Sequence, residues 1–412
     1  MRTESSSSSD AQVVIKIARS GERDERDDTD ERTVIALSYV EFYSGIGGWT
    51  MALEEAIKRI PGVDFSLRRI AALDHSDLCA RVFEHNFGSD SKLCSIERLT
   101  HSQLEEWNAN IWLMSPPCQP HTRQHSNQEE DLDDRRSASF LHLIDLIRTM
   151  QESRLPSLLF LENVVGFESS RSFQCLVDAL KHRQYTFWSF HLTPTQVGLP
   201  NDRPRYFCLA LRQDRMKDEA SLGRLQAYRN FESSQVLKGI PELGVKFEAD
   251  VDEKDLPSLS AFLDKATESK GLSMPQKSLK GNIGWCLDIV TPLNRRTSCF
   301  TSGYGRYNRG TGSVLYEDDT REIQLLEPEK REFDENWSST LDFSKLRYFS
   351  GTEMALLMGF SSEFSFPLEI TLKQQWKLIG NSLNVRIASK VVELGLRLIK
   401  FRCVAAPDKE GR

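Results

Sequence analysis

Apolar and polar positions change their period along the chain, and each change marks an element. Val34 to Phe42 is a nearly continuous apolar run ending at a glycine-rich turn, Ser44 to Gly48, which predicts a buried strand. Trp49 to Ile60 then repeats its apolar residues at helical spacing. Arg69 to Leu73 predicts a second strand ending at Asp74, and Asp77 to Phe87 a second helix. Ile111 to Met114 reads as a short buried strand stopped by Ser115-Pro116-Pro117, because proline donates nothing to a ladder. Ser139 to Met150 is helical, Leu158 to Leu161 is a strand delivering Glu162, and Tyr185 to Leu192 and Tyr206 to Leu211 are further strands. Strands alternating with helices in this way predict an α/β fold around a mostly parallel sheet.

The alternation stops near residue 212. Residues 213–280 are polar and carry the acidic stretch Glu248 to Asp255, and regular helical spacing returns only at Thr352 to Leu357 and Val385 to Phe401. The expected organisation is a tail over 1–32, an α/β unit over 33–212 and an irregular second unit over 213–345 with a long polar insertion. A segment over 346–402 then returns to the first unit, and 403–412 form a short tail. The first tail holds the serine run Ser5 to Ser9 and few large apolar residues, so it reads as disordered.

Composition narrows the possibilities. With 53 basic and 60 acidic residues the formal charge is −7, which excludes a uniformly basic nucleic-acid coat. Mean hydropathy is −0.44, and no apolar run approaches the roughly 18 residues a membrane helix needs. Eight cysteines occur without any C-x-x-C pair, which argues against a zinc ribbon or disulfide framework, so no metal is expected and a reduced intracellular chain is. No apolar segment of signal-peptide type follows the start.

Candidate chemistry sits where predicted strands end. In Tyr43-Ser44-Gly45-Ile46-Gly47-Gly48, glycines would let the backbone approach a ligand at a helix N-terminus; a plain turn is the alternative. Asp74, followed by His75, ends the second strand where a carboxylate can take ribose hydroxyls. Ser115-Pro116-Pro117-Cys118-Gln119-Pro120 holds a thiol in a stiff loop at a strand's C-terminal edge, which favours a nucleophile over a packed cysteine. Glu162-Asn163-Val164 brings a carboxyl group to the same edge, to hold a proton for a substrate ring or to form a plain salt bridge. Arg203 and Arg205 suit carbonyl or phosphate recognition, or a solvated turn, and Asn381 or Ser382 of Gly380-Asn381-Ser382 could cap the last helix.

Taken in order, the glycine turn, P-C-Q, E-N-V, R-x-R and G-N-S motifs resemble those of the cytosine carbon-5 methyltransferases, from about residue 38 to 400 with a weak stretch at 213–280. Ser298-Cys299-Phe300-Thr301, Gly303-Tyr304-Gly305 and Gly310-Thr311-Gly312 further resemble the branch that methylates tRNA-aspartate, historically the second DNA methyltransferase family. The resemblance implies a Rossmann-like sheet using S-adenosylmethionine, a smaller target-recognition domain over 213–345, and methylation of cytosine 38 in the anticodon loop of tRNA-Asp.

By the same resemblance Cys118 would attack carbon 6 of cytosine, Glu162 would contact N3 and the exocyclic amine, and Arg205 with Arg203 would bind the O2 side. Tyr43, Ser44, Gly45, Ile46, Gly47, Asp74, His75, Pro116, Asn381 and Ser382 would form the cofactor pocket. Gln119, Arg295, Arg296, Cys299, Phe300, Thr301, Tyr304 and Arg306 would meet the substrate, and Gln119 to Arg136 would close over a flipped base. Cys299 is balanced between such a role and plain packing. Local charge would supply RNA binding: Arg295 to Arg309 holds four arginines and no acids, with Tyr304 and Tyr307 interleaved. Further expectations are a monomer acting in the cytoplasm or nucleus, with DNA bound weakly. The rival readings are a DNA cytosine-5 methyltransferase and a catalytically idle RNA-binding relative; retention of Cys118, Glu162 and Arg205 together speaks against the second.

Overall fold

The computed structural model describes residues 14–16, 33–89, 91–117, 135–229, 235–264, 271–275, 284–318, 320 and 341–401. In chain order the α/β unit runs β1 (Val14–Lys16), β2 (Thr33–Phe42), α1 (Gly48–Ile57), β3 (Asp64–Asp74), α2 (Asp77–Phe87), β4 (Ser91–Leu93), α3 (His101–Trp107), β5 (Ile111–Met114), α4 (Arg135–Thr149), β6 (Leu158–Val164), α5 (Arg171–His182), β7 (Tyr185–Leu192) and β8 (Arg205–Arg212). The second unit adds α6 (Gln226–Arg229), β9 (Val236–Leu237), β10 (Asp288–Val290), β11 (Ser313–Tyr316) and β12 (Leu346–Arg347). The chain then forms α7 (Gly351–Leu357), α8 (Leu372–Asn381) and α9 (Val385–Leu398).

The main sheet is ordered β4-β3-β2-β5-β6-β8-β7-β9, parallel from β4 to β6, with β8 antiparallel to both neighbours. Side chains alternate across it with period two. Ile35, Leu37 and Tyr39 of β2, Leu158 and Phe160 of β6, and Phe207 and Leu209 of β8 pack with α1 and α9 on one face. Val40 and Phe42, Leu159 and Leu161, and Tyr206 and Cys208 pack with α4 and α5 on the other. The fold is therefore the expected α/β arrangement around a mostly parallel sheet, with helices on both of its faces.

The second unit is built mostly of single turns around a small sheet, β10-β11-β12. Its link to the C-terminal segment is a buried ion pair: both terminal nitrogens of Arg347 donate to Glu353 at 2.8 Å, and Glu353 also closes the capping box of α7 with Ser350. Removing one partner of such a pair costs about 3–5 kcal/mol.

Several boundaries differ from expectation. Within the tail, Val14–Lys16 pairs antiparallel with Thr33–Ile35, so these three residues are a strand. Strand β3 starts at Asp64, before the expected Arg69: Phe65 and Leu67 are half-buried against the core and alternate with the exposed Asp64, Ser66 and Arg68. Strand β6 continues through Glu162 and Asn163, which therefore lie within the ladder and not after it. The last helix is capped by neither Asn381 nor Ser382: Asn381 ends α8, and Asn384 Oδ1 accepts from Ile387 N–H at 3.1 Å. Residues 346–347 belong to the small sheet, so the return to the α/β unit begins after them.

Candidate active site

Strand parity sets the first half of the site. Glu162 of β6 and Arg205 of β8 share the parity of Phe160 and Phe207, so both side chains emerge on the face covered by α1. Because β8 is antiparallel to β6, its beginning lies at the same edge as the end of β6, and Arg205 Nε comes 3.5 Å from Glu162 Oε1. Burial raises the Glu162 carboxyl above the usual carboxylate range, opposed by Arg205, Arg203 and the Ser115 hydroxyl. A carboxyl group so placed holds its proton more readily than a free one.

The proline loop reaches the same edge. Ser115 N–H donates to Phe42 O at 3.3 Å, Ser115 Oγ accepts from Trp49 Nε1 at 2.9 Å, and the buried Asn163 amide donates to Pro116 O at 3.2 Å. The described chain ends there at Pro117; Cys118, Gln119 and the loop expected to close over the base, up to residue 134, lie outside the described residues.

A pocket of about 400 Å³ opens beside this edge, lined by Tyr43, Ser44, Gly45, Ile46, Gly48, Trp49, Ser115, Asn381 and Ser382, with Glu41, Cys79, Leu378 and Leu383. The turn that shapes it needs its residue types: Gly45 has φ +52°, and a Cβ on Gly47 (φ +87°) would stand 2.2 Å from the Phe87 ring. Asp74 braces this turn from below, accepting from Gly45 N–H and Ser76 N–H at 2.9 Å each. Each of its oxygens keeps a lone pair for a ribose hydroxyl. Asp74, the exposed His75 next to it, Gly47 and Pro116 do not line the pocket.

Glu41 was not among the expected residues, although its parity on β2 matches Ile35, Leu37 and Tyr39. It accepts from Trp49 N–H at 3.3 Å, Thr50 N–H at 3.1 Å and the Thr50 hydroxyl at 2.6 Å, and so takes up N–H groups at the start of α1. Burial pushes its carboxyl up to about 7. The signal was present in the alternation, hidden because an acid inside an apolar run reads as an interruption.

The second half of the site comes from the small unit. Arg203, 3% exposed, donates to Phe300 O at 2.6 Å, Gly380 O at 3.0 Å, Ser382 O at 2.6 Å and the Cys299 thiol at 3.3 Å. Its terminal nitrogens join three segments, which makes it a positioning residue where a direct substrate contact was expected. Gly380 permits the same junction: a Cβ there would stand 2.3 Å from the Thr301 carbonyl carbon. Cys299 Sγ also lies 3.7 Å from Arg205. Burial works against its thiolate, yet Arg203 and Arg205 outweigh it and hold the thiol below its ordinary value. Burial pushes the Cys79 and Cys208 thiols up to about 12, so these two are neutral.

Other expected substrate contacts divide. Phe300 is fully buried, and Tyr304 is 4% exposed with its hydroxyl donating to Ser313 O at 2.7 Å; both are core residues, which corrects their expected role. Arg295 donates to Leu256 O, and the exposed Arg296 pairs with Asp202 at 2.5 Å. Thr301 is half-buried against Gly380, and Arg306 is exposed.

The pocket fits S-adenosylmethionine: Ser44 Oγ is buried without a hydrogen-bond partner in a wall that combines the backbone of Gly45 and Gly48, the apolar Ile46, Trp49, Leu378 and Leu383, and the polar Glu41, Asn381 and Ser382. Residues 37–405 match the family model of the C-5 cytosine-specific DNA methylases. The chain is 35% identical over 402 residues to a rat tRNA (cytosine(38)-C(5))-methyltransferase, covering 86% of this chain and 98% of that protein. It is 34% identical over 380 residues to a Dictyostelium discoideum DNA (cytosine-5)-methyltransferase, covering 87% and 94%. The crystal structure of Schizosaccharomyces pombe Dnmt2 methyltransferase superposes with a TM-score of 0.68 at 27% identity, over 88% of this chain and 98% of that one. The chain belongs to the C-5 cytosine-specific DNA methylase family, S-adenosylmethionine-dependent enzymes with this mixed α/β fold.

Proposed function

We propose that the enzyme methylates carbon 5 of cytosine 38 in the anticodon loop of tRNA, with tRNA-Asp its principal substrate. The observation that carries the reading is the buried Glu162 carboxyl, raised toward its protonated form, against Arg205 at the edge where Ser115 to Pro117 lead to Cys118.

The chemistry follows from these groups. The Cys118 thiolate adds to carbon 6 of the flipped base while Glu162 donates its proton toward N3, so that electron density collects at carbon 5. Bound S-adenosylmethionine supplies an electrophilic methyl group. After methylation solvent takes the proton from carbon 5, the carbon–sulfur bond breaks to release the Cys118 thiolate, and N3 returns its proton to Glu162. Arg205 balances charge beside Glu162, and Arg203 with Cys299 keeps Arg205 at its station. Ser44, Asn381 and Ser382 would hold the methionine end of the cofactor, and Asp74 the ribose.

Labelled S-adenosylmethionine with tRNA-Asp tests this reading: label enters cytosine 38, and Cys118→Ala abolishes it. A second reading, duplex DNA as substrate, is favoured by the name of the Dictyostelium relative; more label in duplex DNA than in tRNA would replace the first reading by the second. Weak DNA binding, a monomeric state and a cytoplasmic or nuclear location complete the proposal, to be checked by competition binding, sedimentation and fractionation.

A further inference from the structure

The turn between Thr301 and Thr311 hangs from Arg203 and Gly380. Arg203 holds the Phe300 carbonyl, Thr301 lies against Gly380, and Thr301 N–H donates to Thr311 O at 2.9 Å, closing the turn at its base. Its inner side is fixed by aromatic packing: a Cβ on Gly305 would stand 2.2 Å from Trp376, and one on Gly312 2.5 Å from Phe300. Tyr304 packs edge-on against Phe300 and Trp376 with ring centroids 5.1 and 5.4 Å apart. A turn so anchored is a rigid support.

Its outer side carries the opposite arrangement. Tyr307 is 56% exposed, whereas Tyr304, three residues earlier, is buried. The Tyr307 ring rests by one edge on Gly303, where a Cβ would stand 3.0 Å from Cδ2, and its backbone N–H donates to Gly303 O at 3.1 Å. The Arg306 guanidinium lies 5.0 Å from the ring centroid. The other exposed aromatic among the described residues, Phe247, packs on Gly239 away from this junction.

We propose that Tyr307, with Arg306 beside it, is a stacking platform for one unpaired RNA base next to the target cytosine. The proposal rests on the RNA reading above. An exposed ring left in water beside a cation gains by stacking on any base, and the cation gains by reaching the adjoining phosphate; duplex DNA, whose bases are already stacked, offers no such partner. Flipping the target cytosine unstacks its neighbours, and a fixed ring at the rim offers a displaced base a new face.

The test uses the full-length protein and tRNA-Asp transcripts carrying 2-aminopurine at single anticodon-loop positions beside the target. With wild-type protein, fluorescence at one position is quenched on binding. Tyr307→Ala should lose that quench and raise Kd about tenfold, with Tyr307→Trp restoring both. Thermal stability and S-adenosylmethionine binding should stay as in the wild type, because the ring is exposed. Arg306→Ala should keep the quench and lower the salt slope of log Kd by about 0.7–0.9. Wild-type binding and quench retained in Tyr307→Ala would overturn the platform alone; failure of the wild-type protein to bind tRNA would overturn the RNA reading and the platform with it.

Discussion

The two halves of the active site are made by different physics. Glu41, Glu162 and Arg205 stand on three strands of one sheet, and backbone ladders with period-two alternation aim all three at one face. Cys299, Thr301 and Gly380 belong to segments without ladders at that point, brought together by Arg203 and by the absence of a side chain at Gly380. The sheet half is over-determined, since each residue is fixed by its neighbours in the strand. The docked half depends on a few contacts between segments distant in sequence, so single substitutions should disturb its position without unravelling it.

The largest expected effect lies in the sheet half and is chemical. Glu162→Gln keeps the size and the strand pairing and removes the transferable proton. We expect kcat to fall by roughly a thousandfold with the melting temperature little changed, read by single-turnover methyl transfer and calorimetry. In the wild type, protonated Glu162 is the competent form and burial raises its pKa, so kcat/KM should decline as pH rises through that value. A decline identical in the glutamine variant would assign the titration to another group.

In the docked half, Gly380→Ala places a methyl group against the Thr301 and Ser302 backbone, which has no flexible end to yield. The expected cost is about 1–3 kcal/mol of stability, together with a turnover loss of about a hundredfold as Cys299 and Arg205 shift against Glu162. Thermal denaturation and kcat report the two separately. Turnover equal to wild type would mean that the docked half does not position the sheet half.

The same division decides what could be read from the sequence. The strands β2, β5, β6, β7 and β8 and the helix α2 are legible because each buries its own pattern, and Glu162 and Arg205 follow from them. Asp64 to Arg68 were missed although Phe65 and Leu67 alternate with polar residues there, because two half-buried apolar positions are a weaker signal than the continuous apolar run from Ile70 to Leu73. The fates of Tyr304 and Tyr307 could not be separated in a basic, aromatic segment with no period, because Tyr348 and Trp376, whose rings pack against Tyr304, come from elsewhere in the chain. Arg203 looked like a substrate contact for the same reason: Phe300, Gly380 and Ser382 lie far from it in sequence.

Glu41 should affect turnover least and sharpens the contrast from the sheet side. Two effects compete there. The start of α1 and the Thr50 hydroxyl favour the carboxylate, whereas complete burial disfavours it, and burial prevails with a pKa of about 7 against an ordinary 4.5. Arg69 of β3 favours the charge, and burial together with the Glu41 carboxylate raises the pKa of Tyr39 on the same strand, which stays neutral across this range. Because the folded state then binds the proton more tightly than the unfolded state, wild-type stability should fall as pH rises from about 4.5 to 7, by on the order of 3 kcal/mol relative to a group that cannot titrate. Glu41→Gln is that reference: the wild-type minus variant stability, measured by denaturant unfolding at several pH values, should decline across this window and then level off. A difference that rises with pH would mean that the bonds from α1 outweigh burial and that Glu41 is an ionised cap throughout. Turnover at pH 7 should differ by less than tenfold, because Glu41 supports the pocket wall through α1 and does not touch the base.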